Sequence, residues 1–238
     1  MILSLYMKNV SSGYEYVLIL REISMEVKKW EITTVLGPNG SGKTTLLKTI
    51  FGIVKPTKGR IFLDSKDITS LAPYKILQEG IAYVFQRRSI FRRLTVQENL
   101  ELAGWSIRKN KEIVRERMKE IYKRFPTLER KKSAKAAFLS GGEQRMLEIS
   151  RALILRPKVL LLDEPSAGLA PKYVKQVYET IKQMKKEELT ILLIDQNIRA
   201  AIEVADNIFI LELGRIKFGG SKDQLDITAE ELIKSWLV

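Results

Sequence analysis

The sequence predicts an α/β fold: a parallel sheet covered on both faces, with a helical segment inserted into it. Three observations carry that expectation. Short apolar runs at 32–36, 159–162, 189–194 and 208–211 alternate with helical periods, the pattern of strands buried on both faces. Directly after the first of them comes Gly37-Pro38-Asn39-Gly40-Ser41-Gly42-Lys43-Thr44, a complete phosphate-loop pattern between a strand and a helix. Residues 87–150 hold helical periods and no convincing strand. The core is therefore expected from 1–86 and 151–238, and a helical subdomain from 87–150.

In chain order, 2–10, 23–27 and 32–36 read as strands because they are short, β-branched-rich, and alternating or apolar. Residues 44–51 read as the helix behind the phosphate loop, and 61–63 and 81–85 as further strands. Thr95 and Glu98 form a capping box that opens a helix towards Ala103. Across 111–125, Val114, Met118, Ile121 and Phe125 fall on one helical face. A second capping box, Ser140 with Glu143, opens a helix whose apolar face holds Met146, Ile149 and Leu153. After Pro171, a residue suited to a first helical turn, Val174, Val177, Ile181 and Met184 share a face.

With 238 residues, 45% hydrophobic and only 7 prolines, the chain is expected to pack as a globule rather than stay disordered. No stretch approaches the roughly 20 apolar residues that span a bilayer, and residues 1–10 lack a secretory cleavage pattern. A cytoplasmic location is expected, and the absence of cysteine agrees with it. The net charge of +13 fits an anionic membrane surface, a charged partner, or the lysine-rich surface of a heat-adapted protein. Between Arg108 and Lys135, 12 basic residues face 4 acidic ones, an excess of +8 (12 − 4) in one segment. Stacking aromatics are not interleaved there, so no nucleic-acid partner is expected.

A nucleotide's phosphate tail needs dense donors and little side-chain bulk. Gly37, Gly40 and Gly42 let backbone N–H groups turn inward at the positive end of a helix. Lys43 supplies a point charge for the β- and γ-phosphates. The Thr44 hydroxyl is the expected ligand for Mg²⁺, and Thr45 can donate to a phosphate oxygen. Asp163 ends a buried strand, where a carboxylate is costly unless paired or metal-bound, so it is expected to hold Mg²⁺. Glu164, one residue on, faces differently and is the candidate general base for an attacking water.

The order phosphate loop, Leu139-Ser140-Gly141-Gly142-Glu143-Gln144, then Val159-Leu160-Leu161-Leu162-Asp163-Glu164 resembles the ATP-binding cassette (ABC) ATPases. That resemblance implies a P-loop NTPase core with an antiparallel β subdomain beside the helical, signature-bearing one. It implies that Tyr14 stacks on adenine and that Gln86 touches Mg²⁺ and the attacking water. It also implies that Ser140, Gly141, Gly142 and Glu143 meet the γ-phosphate held by a second ATPase subunit, like or unlike, in a head-to-tail dimer. ATP and Mg²⁺ are then the expected cofactors, and the permease of a membrane transporter the expected partner. Such a subunit would lie peripherally at the inner face of the membrane.

Two departures narrow the resemblance. Ala170 stands where most relatives have aspartate, and Gln196 where most have a histidine that contacts the γ-phosphate. Both resemble the ATPase subunits of branched-chain amino acid importers, as do Phe125-Pro126, Gly168-Leu169-Ala170-Pro171 and Gln196-Asn197. Residues 86–94 are instead nearer to lipopolysaccharide-export ATPases, so a lipid or polysaccharide exporter is the alternative. DNA-repair or chromosome-organising ABC proteins would need coiled-coil arms or metal-binding cysteines, and a translation-associated one two cassettes. Neither feature is present in this sequence.

Overall fold

The computed structural model describes residues 3–87 and 89–225. Met1 and Ile2 of the expected first strand, Arg88, and residues 226–238 at the end of the expected core lie outside the described residues. The chain runs β1 (Leu3–Tyr14), β2 (Val17–Lys28), β3 (Ile32–Leu36), α1 (Lys43–Ile50), β4 (Pro56–Leu63), β5 (Lys66–Asp67), α2 (Pro73–Glu79) and β6 (Ile81–Val84). The helical stretch follows with α3 (Val96–Ala103), α4 (Lys111–Arg124), α5 (Pro126–Arg130) and α6 (Gly141–Leu153). The core resumes with β7 (Val159–Asp163), α7 (Pro171–Lys186), β8 (Thr190–Ile194), α8 (Ile198–Val204), β9 (Asn207–Glu212) and β10 (Arg215–Ser221).

Two sheets result. One is antiparallel, in the order β2-β1-β4-β5. The other is ordered β10-β9-β3-β8-β7-β6 and is parallel except at its β10 edge. Successive residues of β7 point to opposite faces, so Leu160 and Leu162 enter one core while Val159 and Leu161 enter another. The second of these cores lies between the sheets. There α1 packs Leu46, Leu47 and Ile50 against Leu5, Met7 and Leu20 on one side and Val35, Leu192 and Leu211 on the other. The phosphate-loop helix is thus held from both sides.

The expected strands are longer in places. In β2 the buried positions are Leu20, Ile23, Met25 and Val27, and register shifts along β1 break the two-residue alternation before Ile23. The first half of β4 is largely exposed, which leaves only its buried end legible in sequence. The helix over 111–125 ends at Arg124 because Phe125 precedes a proline and adopts φ −123°, ψ 72°. Pro126 then opens α5. The signature-bearing helix α6 continues to Leu153, beyond residue 150, and Ile149 and Leu153 join the core that backs the parallel sheet.

Candidate nucleotide-binding and hydrolysis site

The loop between β3 and α1 is shaped by close approaches that only glycine allows. A Cβ on Gly37 would lie 2.1 Å from the Leu211 carbonyl oxygen, and one on Gly42 would lie 2.9 Å from Leu20 Cδ2. Gly42 also caps α1 with φ 108°, in the left-handed region. Within the loop Ser41 N donates to Pro38 O, and Gly214 N donates to Ser41 O. Asn39 and Gly40 form the exposed rim. Lys43 is buried and folds back, donating through Nζ to Gly37 O at 2.7 Å and Pro38 O at 2.9 Å. Burial pushes its ammonium pKa down, while the charges of Glu164 and Asp163 work against that shift. Thr45 is buried on the same first turn.

Facing this loop, β7 delivers Asp163 and Glu164. Asp163 is 1% exposed. Its Oδ1 accepts from Thr44 Oγ1 at 3.1 Å and its Oδ2 from Tyr83 OH at 2.7 Å. Burial nevertheless pushes its carboxyl pKa up, so the two hydrogen bonds undercompensate its charge. An under-neutralised carboxylate beside a threonine hydroxyl suits a hard, oxygen-seeking divalent cation. Mg²⁺ commonly takes one or two carboxylates and completes its shell with water and phosphate. No cluster of three or more His, Cys, Asp or Glu competes for a metal among the described residues.

Glu164 adopts φ 48°, and its N–H donates to Ile194 O at 2.7 Å. Two amides converge on its side chain: Gln86 Nε2 donates to Oε2 at 2.6 Å, and Gln196 Nε2 donates to the same oxygen at 2.8 Å. Residues 78 and 32 positions away in sequence thereby meet at one carboxylate oxygen. Buried Asp195 fixes both flanks, accepting from Ser166 N at 3.0 Å, Ser166 Oγ at 2.7 Å and Asn197 N at 3.0 Å.

Tyr14 lies at the end of β1, 44% exposed, with Lys48 Nζ 5.9 Å from its ring centroid. A buried hydrogen bond of 2.7 Å between Ser12 and Thr49 holds this end of β1 to α1, so the tyrosine flanks the helix that begins at Lys43. The Ser140–Glu143 run is elsewhere, at the start of α6. Glu143 N donates to Ser140 Oγ at 3.3 Å, and Ser140 N donates to Glu143 Oε2 at 2.8 Å. Burial alone would raise the Glu143 pKa, but Lys131 Nζ at 2.6 Å and the Ser140 N–H hold it below the ordinary carboxylate value. Glu143 is therefore committed to the cap. Among the described residues no hydrogen bond joins this run to Lys43, Asp163 or Glu164.

Sequence reasoning missed Tyr83, Asp195 and Tyr173. Asp195 ends an apolar strand just as Asp163 does, and that signal could have found it. Tyr83 and Tyr173 carried none. A Cβ on Gly142 would lie 2.1 Å from the Tyr173 ring, whose hydroxyl is 3.3 Å from Ser140 Oγ.

A phosphate loop opposite a strand-end carboxylate pair, with a Ser-Gly-Gly helix start elsewhere, defines a nucleoside-triphosphatase cassette. Residues 20–167 match the ABC transporter family. The chain belongs to that family as one of its ATP-binding subunits, and it is an ATPase. It is 42% identical over 217 residues to a probable branched-chain amino acid transport ATP-binding protein of Archaeoglobus fulgidus, covering 91% of each chain. To a high-affinity branched-chain amino acid transport ATP-binding protein of Pseudomonas aeruginosa it is 42% identical, covering 87% and 88%. A lipopolysaccharide export ATP-binding protein of Haemophilus influenzae is 37% identical, with 92% and 90% covered. Among solved structures, an ATP-binding cassette of an ABC transporter in its ADP conformation superposes with a TM-score of 0.86 at 29% identity, covering 98% and 99%. A dimeric cassette in a post-hydrolysis state with ADP and Pi gives a TM-score of 0.80 at 28% identity, covering 92% and 98%.

Proposed function

We propose that the chain hydrolyses ATP with Mg²⁺ in a head-to-tail pair of cassettes, and so drives a membrane permease that imports branched-chain or other hydrophobic amino acids. The convergence of Gln86 and Gln196 on Glu164 Oε2 carries the catalytic part of this reading. Backbone N–H groups of residues 39–42, with Lys43 and Thr45, hold the phosphates, and Tyr14 stacks on adenine. Mg²⁺ would be held by Thr44, Asp163 and Gln86, and when bound it supplies positive charge to the phosphate oxygens. The two amides fix the Glu164 carboxylate through Oε2. Among the described residues no hydrogen bond engages Oε1, which is free to take a proton from water. Gln196 orients through its amide and cannot shuttle a proton as histidine would. Ser140, Gly141 and Gly142 complete the partner cassette's site at the positive end of α6.

Glu164→Gln tests the base. ATP binding should persist, turnover should fall at least about 100-fold, and an ATP-bound dimer should accumulate. Turnover at the wild-type rate would remove Glu164 from that role. The importer reading is supported by the two relatives at 42% identity. It predicts ATP-driven leucine uptake by membrane vesicles carrying this chain with its permease. No uptake from such vesicles would favour the exporter reading that residues 86–94 suggest. No helix among the described residues is long and apolar enough to cross a membrane, so in this scheme the chain sits at the inner face, held by its permease.

A further inference from the structure

Three charged side chains project from one side of α6 at one-turn spacing, Arg145, Glu148 and Arg151, and all three grip the segment that carries Gln86. Arg145 Nη1 donates to Phe85 O at 3.0 Å and its Nη2 to Gln86 O at 3.2 Å. Glu148 Oε1 accepts from Ser89 N at 2.6 Å, and Arg151 Nη1 donates to Ser89 O at 2.5 Å. The Arg151 guanidinium also lies 5.0 Å from the Phe91 ring centroid. Arg145 and Glu148 pair at 2.9 Å with side chains 4% and 1% exposed.

Burying such a pair is costly, and apolar side chains of similar volume are often as stabilising or more so. Stability is therefore a weak reason for its presence. Its bonds go to main-chain groups, which gives them a different use. The planar guanidinium spans two successive carbonyl groups, and a lysine cannot reproduce that geometry. A shift of α6 along or about its axis pulls on the backbone of Phe85, Gln86 and Ser89, and Gln86 ends on Glu164 Oε2. The same helix begins at the Ser140-Gly141-Gly142 run, little more than one turn before Arg145.

We propose that Arg145, Glu148 and Arg151 are positioning residues that lock the Gln86 segment to α6, so that phosphate captured at the helix start sets Gln86 against Glu164 of the same chain. This rests on the composite-site reading above. The signature run serves the partner's nucleotide and Glu164 serves the chain's own. The row therefore joins two ATP sites through a single helix, and occupation of one site conditions hydrolysis in the other.

The test is the double variant Arg145→Met, Glu148→Met in the purified full chain, with Arg151→Met as a second variant. Removing both buried charges together leaves neither charge unpaired, but Phe85 O, Gln86 O and Ser89 N lose their partners, so Tm should fall while the Kd for ATP stays close to wild type. The turnover number should fall about tenfold in the double variant and about threefold in Arg151→Met, with KM little changed. In a Glu164→Gln background the double variant should still form the ATP-bound dimer, because the helix start is intact. Turnover within twofold of wild type in a folded variant overturns the proposal, and so does loss of the dimer, which would make the row part of the capture site. Should the double variant fail to fold, unchanged turnover in Arg151→Met overturns it. Failure of Glu164→Gln alone to dimerise or to lose turnover would instead strike the composite-site reading.

Discussion

Gly142→Ala isolates the contact that ties the signature run to α7. The added Cβ would lie 2.1 Å from Tyr173 Cδ1 and 2.2 Å from Cγ, the stem of the ring rather than its movable tip. Relief requires the whole side chain to swing, and overpacking of this kind costs about 1–3 kcal/mol. Two atoms in conflict place this case in the upper part of that range, at about 2–3 kcal/mol. Alanine in place of glycine within a helix returns up to about 1 kcal/mol. The net expectation is a loss of about 1–2 kcal/mol, read as a lower urea midpoint at unchanged slope. In a Tyr173→Ala background the conflict is gone, so the same substitution should become neutral or slightly stabilising. The cycle should then give a coupling of about 2 kcal/mol. An equal effect of Gly142→Ala in both backgrounds would refute the account and return the glycine to a role confined to phosphate binding.

Gln196→His should leave turnover near or above the wild-type rate if the side chain only orients Glu164, and a collapse in a steady-state ATPase assay would show a glutamine-specific role. Thr49→Val removes a buried hydroxyl that bridges Ser12 Oγ and Thr45 O and should cost about 1–3 kcal/mol in chemical denaturation. The Glu143 pKa is depressed in the fold, so its contribution is complete above the ordinary value of 4.5 and is lost as pH falls through the lower folded value. A Glu143→Gln variant should accordingly lose less stability than wild type on acidification across that window, which Tm against pH would show.

The fold was legible wherever burial was one-sided in kind. The strands β3, β7, β8 and β9 are buried along nearly their whole length because both of their faces are covered, and their short, mostly apolar runs can be found without knowledge of their neighbours. The exposed half of β4, the two-residue β5, and the short helices α2 and α8 present no such run. The phosphate loop and the Asp163-Glu164 pair were readable because each is a local arrangement. Which groups would meet at Glu164 Oε2 was not, since Gln86 and Gln196 arrive from opposite sides of β7 in the sheet order. Family resemblance singled both out, but their shared oxygen is a property of the fold. Tyr173 against Gly142 belongs to the same category: a three-dimensional contact between two helices that no spacing encodes.

The backbone of Glu164 has a consequence for how such a chain ages in evolution. At φ 48° a residue with a side chain sits in the left-handed region, where any but glycine is disfavoured by about 1–2 kcal/mol. The position best suited to glycine is the one that the chemistry needs as a carboxylate. Selection on folding alone would therefore erode the base before it touched most of the core. If two unlike chains share the dimer and one site is relieved of hydrolysis, this residue is where that relaxation should surface first, in a subunit that becomes sturdier as it falls silent.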